Sequence, residues 1–211
     1  AEQIKRFGTE IEALAVSAVS RTSDETGFII TTEKGTEWAK AVIIATGASA
    51  MYLGLPSEEK LAGKGVSACA TCDGFFFRAR EVVVVGGGDT AMEEATFLTK
   101  FATRVTIIHR RDEFRASAIM LDRAKKDPKI TFLSNKIIDE ILGDTAVTGV
   151  RLKDAKTGEK TTLATGGVFL AICHKPSTDF LKGLVDLDPK GYIEVKRADS
   201  ALAPQTETNV P

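Results

Sequence analysis

The sequence predicts an α/β fold built on a parallel sheet. Three observations predict it: the apolar run Val82-Val83-Val84-Val85 in a strand Glu81–Val85, strands that alternate with helical patterns after it, and a glycine cluster where that strand gives way to a helix. A run that is apolar at every position suits a strand buried on both faces. The helical pattern covers Asp89 to Phe101, a strand follows at Arg104–Ile108, then a helix from about Ala116 to Lys126 and a third strand at Ile130–Leu133. The stretches Lys136 to Leu142, Val147 to Lys153 and Thr161 to Leu163, with a turn at Lys156-Thr157-Gly158, read as a β-meander before a buried strand at Val168–Ile172.

Upstream, Ile11 to Val19 and Gly27 to Thr32 read as antiparallel strands, and the turn Glu33-Lys34-Gly35 returns the chain toward a buried strand at Ala41–Ala45. The Pro- and Gly-punctuated stretch from Leu53 to Gly65 reads as a linker, which places a boundary near Gly65. From Tyr192 to Pro211 the chain is extended and polar.

Composition narrows the function. Lys plus Arg (28) nearly cancels Asp plus Glu (29) in 211 residues, so bulk charge argues for neither a nucleic-acid nor a membrane partner. No apolar run approaches the roughly 20 residues of a membrane helix, and Ala1–Arg6 lacks the apolar stretch of a signal peptide, so a cytoplasmic location is expected. Three cysteines, two in one CxxC, point to catalysis or metal binding rather than to a disulfide-stapled scaffold.

Gly86-Gly87-Gly88-Asp89-Thr90-Ala91 fits G-x-G-x-x-A at a strand-to-helix turn. Gly86 and Gly88 allow the turn and the approach of a pyrophosphate, Ala91 allows close helix packing, and the N–H groups of Asp89 and Thr90 at the helix start attract an anion. About 20 residues on, where an NAD-specific fold carries an acid, stand His109, Arg110 and Arg111, with Arg115 beyond them. Guanidinium groups match a 2′-phosphate and favour NADPH over NADH. The competing readings are a tight turn and a basic surface patch.

Cys69-Ala70-Thr71-Cys72 sets two sulfurs close enough to form a disulfide across one turn, and Asp73 could handle the proton that a thiolate leaving group needs. Zinc is the rival; Cys173, His109 and His174 offer it no second paired motif.

Taken together, Ala68–Phe76, Val82–Ala91, His109–Ser117, Ile44–Ala48 and Tyr52–Pro56 resemble the low-molecular-weight, bacterial and plant type thioredoxin reductases of the pyridine nucleotide-disulfide oxidoreductases. The resemblance implies a Rossmann-like βαβ NADPH domain with a β-meander, in three ββα layers, inserted in a FAD-binding domain. The division it implies is 1–65 (partial FAD-binding domain), 66–191 (NADPH-binding domain with the CxxC) and 192–211 (return to the FAD-binding domain, truncated). It implies FAD and NADPH as cofactors, Thr46 and Gly47 among the cofactor-binding positions, and thioredoxin as partner of a homodimeric full-length protein. Electrons would pass from NADPH through FAD to Cys69 and Cys72, with Cys69 attacking thioredoxin, Cys72 facing the flavin and Asp73 as acid–base residue. Cys173 stands where the family reads glycine and is expected as a buried apolar thiol, with an accessory redox role as the rival reading; His174 is expected as a hinge residue. The family's FAD glycine fingerprint is expected before Ala1 and its closing Gly-Asp segment after Pro211, so this stretch alone should bind FAD poorly and not turn over. Two rivals remain: a reductase of a peroxiredoxin system, whose members resemble Cys-Pro-His-Cys and tend to lack the His-Arg-Arg signature, and an NADPH-binding redox sensor without turnover.

Overall fold

Val82, Val83, Val84 and Val85 are all buried, and their alternating side chains feed two different cores. That is the consequence of a central strand with no polar face. The computed structural model describes residues 2–196 and 206–210. Five parallel strands run in the order Val66–Ser67, Val168–Leu170, Glu81–Val85, Arg104–Ile108, Ile130–Leu133. On one face, Val82, Val84, Val105, Ile107 and Phe169 pack against the helices Asp89–Leu98 and Ala118–Lys126 through Ala91, Met92, Ala95, Leu98 and Ala124. On the other, Val83, Val85, Ile108, Val168 and Leu170 pack against Ile138, Ile141, Val147, Val150 and Leu152. Those residues belong to an antiparallel meander of Lys136–Gly143, Val147–Asp154 and Lys160–Ala164. The expected three-layer ββα arrangement is therefore present.

Contacts divide the chain into two units, Ala50–His174 and Ala1–Ser49 with Lys175–Pro211. The sequence reading places the divisions at 65 and 191 instead. The difference has a physical cause at the first division: the segment read as a linker is anchored in the meander core, where Leu61 is fully buried and Leu53 and Leu55 pack alongside. Glu58 holds the same segment, its two carboxylate oxygens accepting the N–H groups of Leu53 and Gly54 at 2.9 Å each.

The smaller unit holds an antiparallel sheet of Val16–Arg21, Phe28–Thr32 and Gly35–Ala39, with Val19, Leu181 and Val185 buried. Ala41–Ala45 is not the expected buried strand: no ladder pairs it among the described residues, and Ile43 is 94% exposed. Apolar composition alone does not make a strand where no neighbour offers backbone partners. Part of the expected extended return over 192–211 lies outside the described residues; within them, the Lys196 N–H donates to the Glu207 carbonyl.

Candidate functional site: a glycine-loop cavity and a dithiol turn

After Val85 the chain turns sharply, and the Gly86 N–H donates to the Ile108 carbonyl at 3.1 Å. A Cβ on Gly86 would overlap the Ala171 carbonyl oxygen, and one on Gly87 would overlap the His109 ring. Packing within the protein demands both glycines. Gly88 differs, because no atom lies within 4 Å of where its Cβ would stand. That open space, and a helix Asp89–Leu98 whose N-terminus no side chain caps, are what a bound phosphate needs.

The basic loop is folded down onto the glycines. The N–H groups of Arg115 and Ala116 both donate to the Gly87 carbonyl, at 2.7 and 3.0 Å. The Ser117 N–H donates to Asp89 Oδ1 at 2.6 Å. Lys156 and Asn135 hold Asp112 from the meander side, and the Lys156 hydrogen bond keeps its carboxyl below the ordinary carboxylate value. His109 is buried and its Nε2 lies 3.0 Å from the Glu113 carbonyl oxygen; a carbonyl only accepts, so Nε2 carries the proton. Burial pushes its pKa down, the neighbouring Arg115, Arg110 and Arg111 add to that, and the bond to Glu113 opposes it. His109 is thus a neutral wedge between the loops.

Between the glycine turn and the basic loop opens a cavity of about 400 Å³. Gly86, Gly87, Gly88, Thr90, His109, Arg110 and Arg115 line it, with Tyr52, Lys136 and Cys173 elsewhere on its wall. Of the predicted cofactor-binding residues in this unit, Arg111, Asp89 and Ala91 are not on the lining. Asp89 acts by holding the basic loop, and Ala91 packs beneath the turn, fully buried. Thr46 and Gly47 lie in the other unit and are exposed; the Gly47 carbonyl accepts the Ser177 N–H. Cys173 is exposed rather than buried, in a left-handed backbone conformation with φ 95°, which suits the glycine of the family pattern. His174 closes the larger unit at the second chain crossing.

Cys69 and Cys72 form a disulfide with Cα atoms 5.3 Å apart. Cys69 caps the short helix Ala70–Asp73, its Sγ accepting the Cys72 N–H at 3.2 Å. Cys69 is half-buried and Cys72 exposed. Ser67, at the end of the edge strand, donates its hydroxyl to Asp73 Oδ2 at 2.7 Å and accepts the Cys69 N–H at 3.0 Å. Beside the turn, Phe75 and Phe76 are exposed at 55% and 71%, and the Arg78 guanidinium lies 4.2 Å from the Phe75 ring centre. Cys69, Cys72 and Asp73 do not line the cavity. What joins the two places is the helix Asp89–Leu98: the glycine loop starts it, and the dithiol turn packs on its flank. Ala70 shares a core with Ala91, Ala95 and Leu98, and a Cβ on Gly74 would come within 3.1 Å of Leu98.

Sequence reasoning missed Ser67, Ser117 and Glu94. The first two carry no signal, because each works through a contact set by the fold. Glu94 did leave one: it lies three residues after Ala91 and four before Leu98, so it is an acid on a buried stripe.

The sequence model of the pyridine nucleotide-disulphide oxidoreductases matches residues 2–209. The chain belongs to that family. Among its relatives is the thioredoxin reductase of Mycolicibacterium smegmatis, 55% identical over 195 residues, a match that covers 92% of this chain and 62% of the relative. A bifunctional thioredoxin reductase/thioredoxin of Mycobacterium leprae (strain TN) is 52% identical over 195 residues, covering 92% of this chain and 42% of that one. The solved thioredoxin reductase from Giardia duodenalis superposes with a TM-score of 0.82 at 41% identity, covering 99% of this chain and 67% of that one. The chain thus spans about three fifths of the M. smegmatis relative's length. No described helix is long and apolar enough to cross a membrane.

Proposed function

We propose that this chain is the central portion of a thioredoxin-disulfide reductase, which passes two electrons from NADPH through FAD to the Cys69–Cys72 disulfide and on to thioredoxin. The observation that carries the reading is the pairing, on one helix of one unit, of a cation-lined glycine cavity with a CxxC disulfide. The names of the relatives support it, and that of the M. leprae protein joins both activities in one polypeptide.

The cavity is assigned to the pyridine nucleotide. Gly88 and the start of the helix at Asp89 and Thr90 receive the pyrophosphate, and Arg110 and Arg115 take the 2′-phosphate through charge-assisted hydrogen bonds. Arg111 stands next to them as a further cation. Neutral His109 sets the distance between the glycine turn and the basic loop. FAD, which Thr46 and Gly47 on the other unit would help to hold, supplies the relay of electrons between the nicotinamide and the disulfide. When the disulfide opens, Asp73 holds or delivers the proton at the departing sulfur, positioned by Ser67. Reduced Cys69 then attacks the thioredoxin disulfide, Cys72 resolves the mixed disulfide, and the Cys69–Cys72 bond re-forms as thioredoxin leaves as a dithiol. The exposed Phe75 and Phe76 offer an apolar landing surface for that protein beside the sulfurs.

In this reading residues 66–191 are the NADPH-binding domain, and residues 1–65 with the return at 192–211 belong to the FAD-binding domain. Within this reading the full-length protein is a cytoplasmic homodimer, which sedimentation of the flavin-loaded protein checks. The deciding assay is NADPH-dependent reduction of thioredoxin by the full-length protein. Turnover with thioredoxin that Cys69→Ser and Cys72→Ser abolish supports the reading. Turnover only with a peroxiredoxin-system disulfide, or no exchange with thioredoxin at all, overturns it.

A further inference from the structure

Glu94 is the one acid set into the flank of the helix that carries the dithiol turn, and the chemistry described so far leaves it unused. Its Oε2 is shut off from solvent and has no hydrogen-bond partner among the described residues. Its carboxyl faces the backbone N–H of Ala70, the residue that follows Cys69 and opens the turn between the sulfurs. Ala70 itself is 1% exposed, packed with Ala91, Ala95 and Leu98, so the turn cannot drift away from this helix without opening the core. A carboxylate with a buried, orphaned oxygen is costly in its charged form and carries no such penalty as an acid.

We propose that Glu94 is a proton-holding positioning residue for the Cys69–Cys72 pair: its carboxyl, set on the helix flank against which the dithiol turn packs, takes up a proton from solvent when the disulfide is reduced. The proposal rests on the redox role assigned to that pair. The balance is simple. Two electrons, from the pyridine nucleotide in the working protein or from a dithiol reagent in the test, break the S–S bond; one sulfur takes a proton and becomes a thiol, and the other is left as a thiolate. The new negative charge beside the Ala70 N–H makes a second anion at Glu94 unfavourable, and the carboxylate takes a second proton.

Burial already holds the Glu94 carboxyl at about 7, with Glu93 contributing in the same direction and the Ala70 N–H opposing. The other charged groups on the elements packed against its helix are Asp73 on the dithiol turn, Glu81 and Arg104 at the strand starts, and Asp122, Arg123, Lys125 and Lys126 on the helix Ala118–Lys126; none of these moves it. A group poised near neutrality in the oxidised state is the one that responds to charge formed on reduction.

The test is a redox titration of the pair in the full-length protein against dithiothreitol buffers from pH 6 to 9, which requires no turnover with thioredoxin. The wild type should take up, near pH 7.5, an extra fraction of a proton per disulfide reduced, on the order of one half. Glu94→Gln should lose that extra uptake, and the pH at which its reduced thiols become reactive to iodoacetamide should fall. Infrared difference spectra of the wild type provide a readout that needs no variant: reduction should add a protonated-carboxyl band, absent from Glu94→Gln if that variant folds. Identical pH slopes in the two proteins, or no carboxyl band in the wild type, overturn this inference and leave the reductase reading intact. A pair that cannot be reduced and reoxidised overturns both.

Discussion

At the glycine loop the backbone is fixed by packing: Gly86 lies against Ala171, Gly87 against His109, and the Arg115 and Ala116 N–H groups lock the basic loop onto the Gly87 carbonyl. At the dithiol turn the holding is done by a hydroxyl and a carboxylate, with Ser67 on Asp73 and Cys69, and the Glu94 carboxyl lies on the helix flank beneath. In the proposed reductase the first region would resist change in shape because a cofactor must find it preformed. In the same reading the second would exchange protons, because its sulfurs would gain and lose charge at each cycle. One helix serves both, presenting its uncapped end to the glycine-loop cavity and its flank to the dithiol turn.

Replacing a sulfur should break the comparison most completely. Cys69→Ser or Cys72→Ser should lower NADPH-dependent thioredoxin reduction on the order of 10³-fold or more while NADPH binding, followed by fluorescence quenching, is retained. A parallel loss of binding would mean that the two regions are not separate. Next in size is the double replacement Arg110→Ala with Arg115→Ala. At about 1.5–3 kcal/mol for each charge-assisted contact, NADPH affinity should fall about 10²- to 10⁴-fold and NADH affinity hardly at all, measured by calorimetry on both nucleotides. An equal loss for both would remove the case for a 2′-phosphate site.

Much of this was legible in the sequence, for a definite reason in each case. The Val82–Val85 run, the G-x-G-x-x-A turn and the CxxC are local patterns whose meaning does not depend on what packs against them. The assignment of Arg110 and Arg115 to the cavity also came from spacing alone, whereas Arg111, their neighbour, points elsewhere than its lining, and no spacing rule separates the three. Ala41–Ala45 misled because strand character requires a partner strand. Cys173 misled because thiols are usually buried, while here a left-handed backbone position puts it on the cavity wall. Ser67 and Ser117 were invisible because their partners lie in separate elements brought together only by the fold.

Smaller effects sharpen the contrast between a rigid loop and a titrating turn. Gly87→Ala forces a methyl group into the His109 ring and should destabilise the fold by about 1–3 kcal/mol, read as a lowered Tm, with a weakened nucleotide site. Asp89→Ala removes one bond to Ser117 and should cost about 1 kcal/mol, seen as a several-fold higher KM for NADPH with kcat little changed.

The pH dependence of stability should differ in sign between the two regions. His109 is depressed when folded, so the unfolded chain binds more protons just below pH 6.5, and its contribution is lost as pH falls through that range. Glu94 is raised from 4.5 to about 7, so the folded chain binds more protons between those values; its contribution is full below 4.5 and lost as pH rises toward 7. Glu94→Gln should therefore gain stability relative to the wild type at pH 8 and not at pH 5, by denaturant titration at both pH values. Equal differences at both would place the Glu94 carboxyl in an ordinary environment.

The most direct test of the central claim is thiol labelling of the flavin-loaded full-length protein, read by mass, before and after addition of nicotinamide nucleotide. The account predicts that Cys173, already exposed, labels before nucleotide is added, and that NADPH adds labels at Cys69 and Cys72 while NADH at the same low concentration adds almost none. If NADPH leaves both sulfurs unlabelled, or NADH opens them equally well, the cavity and the disulfide do not form one electron path and the account is wrong.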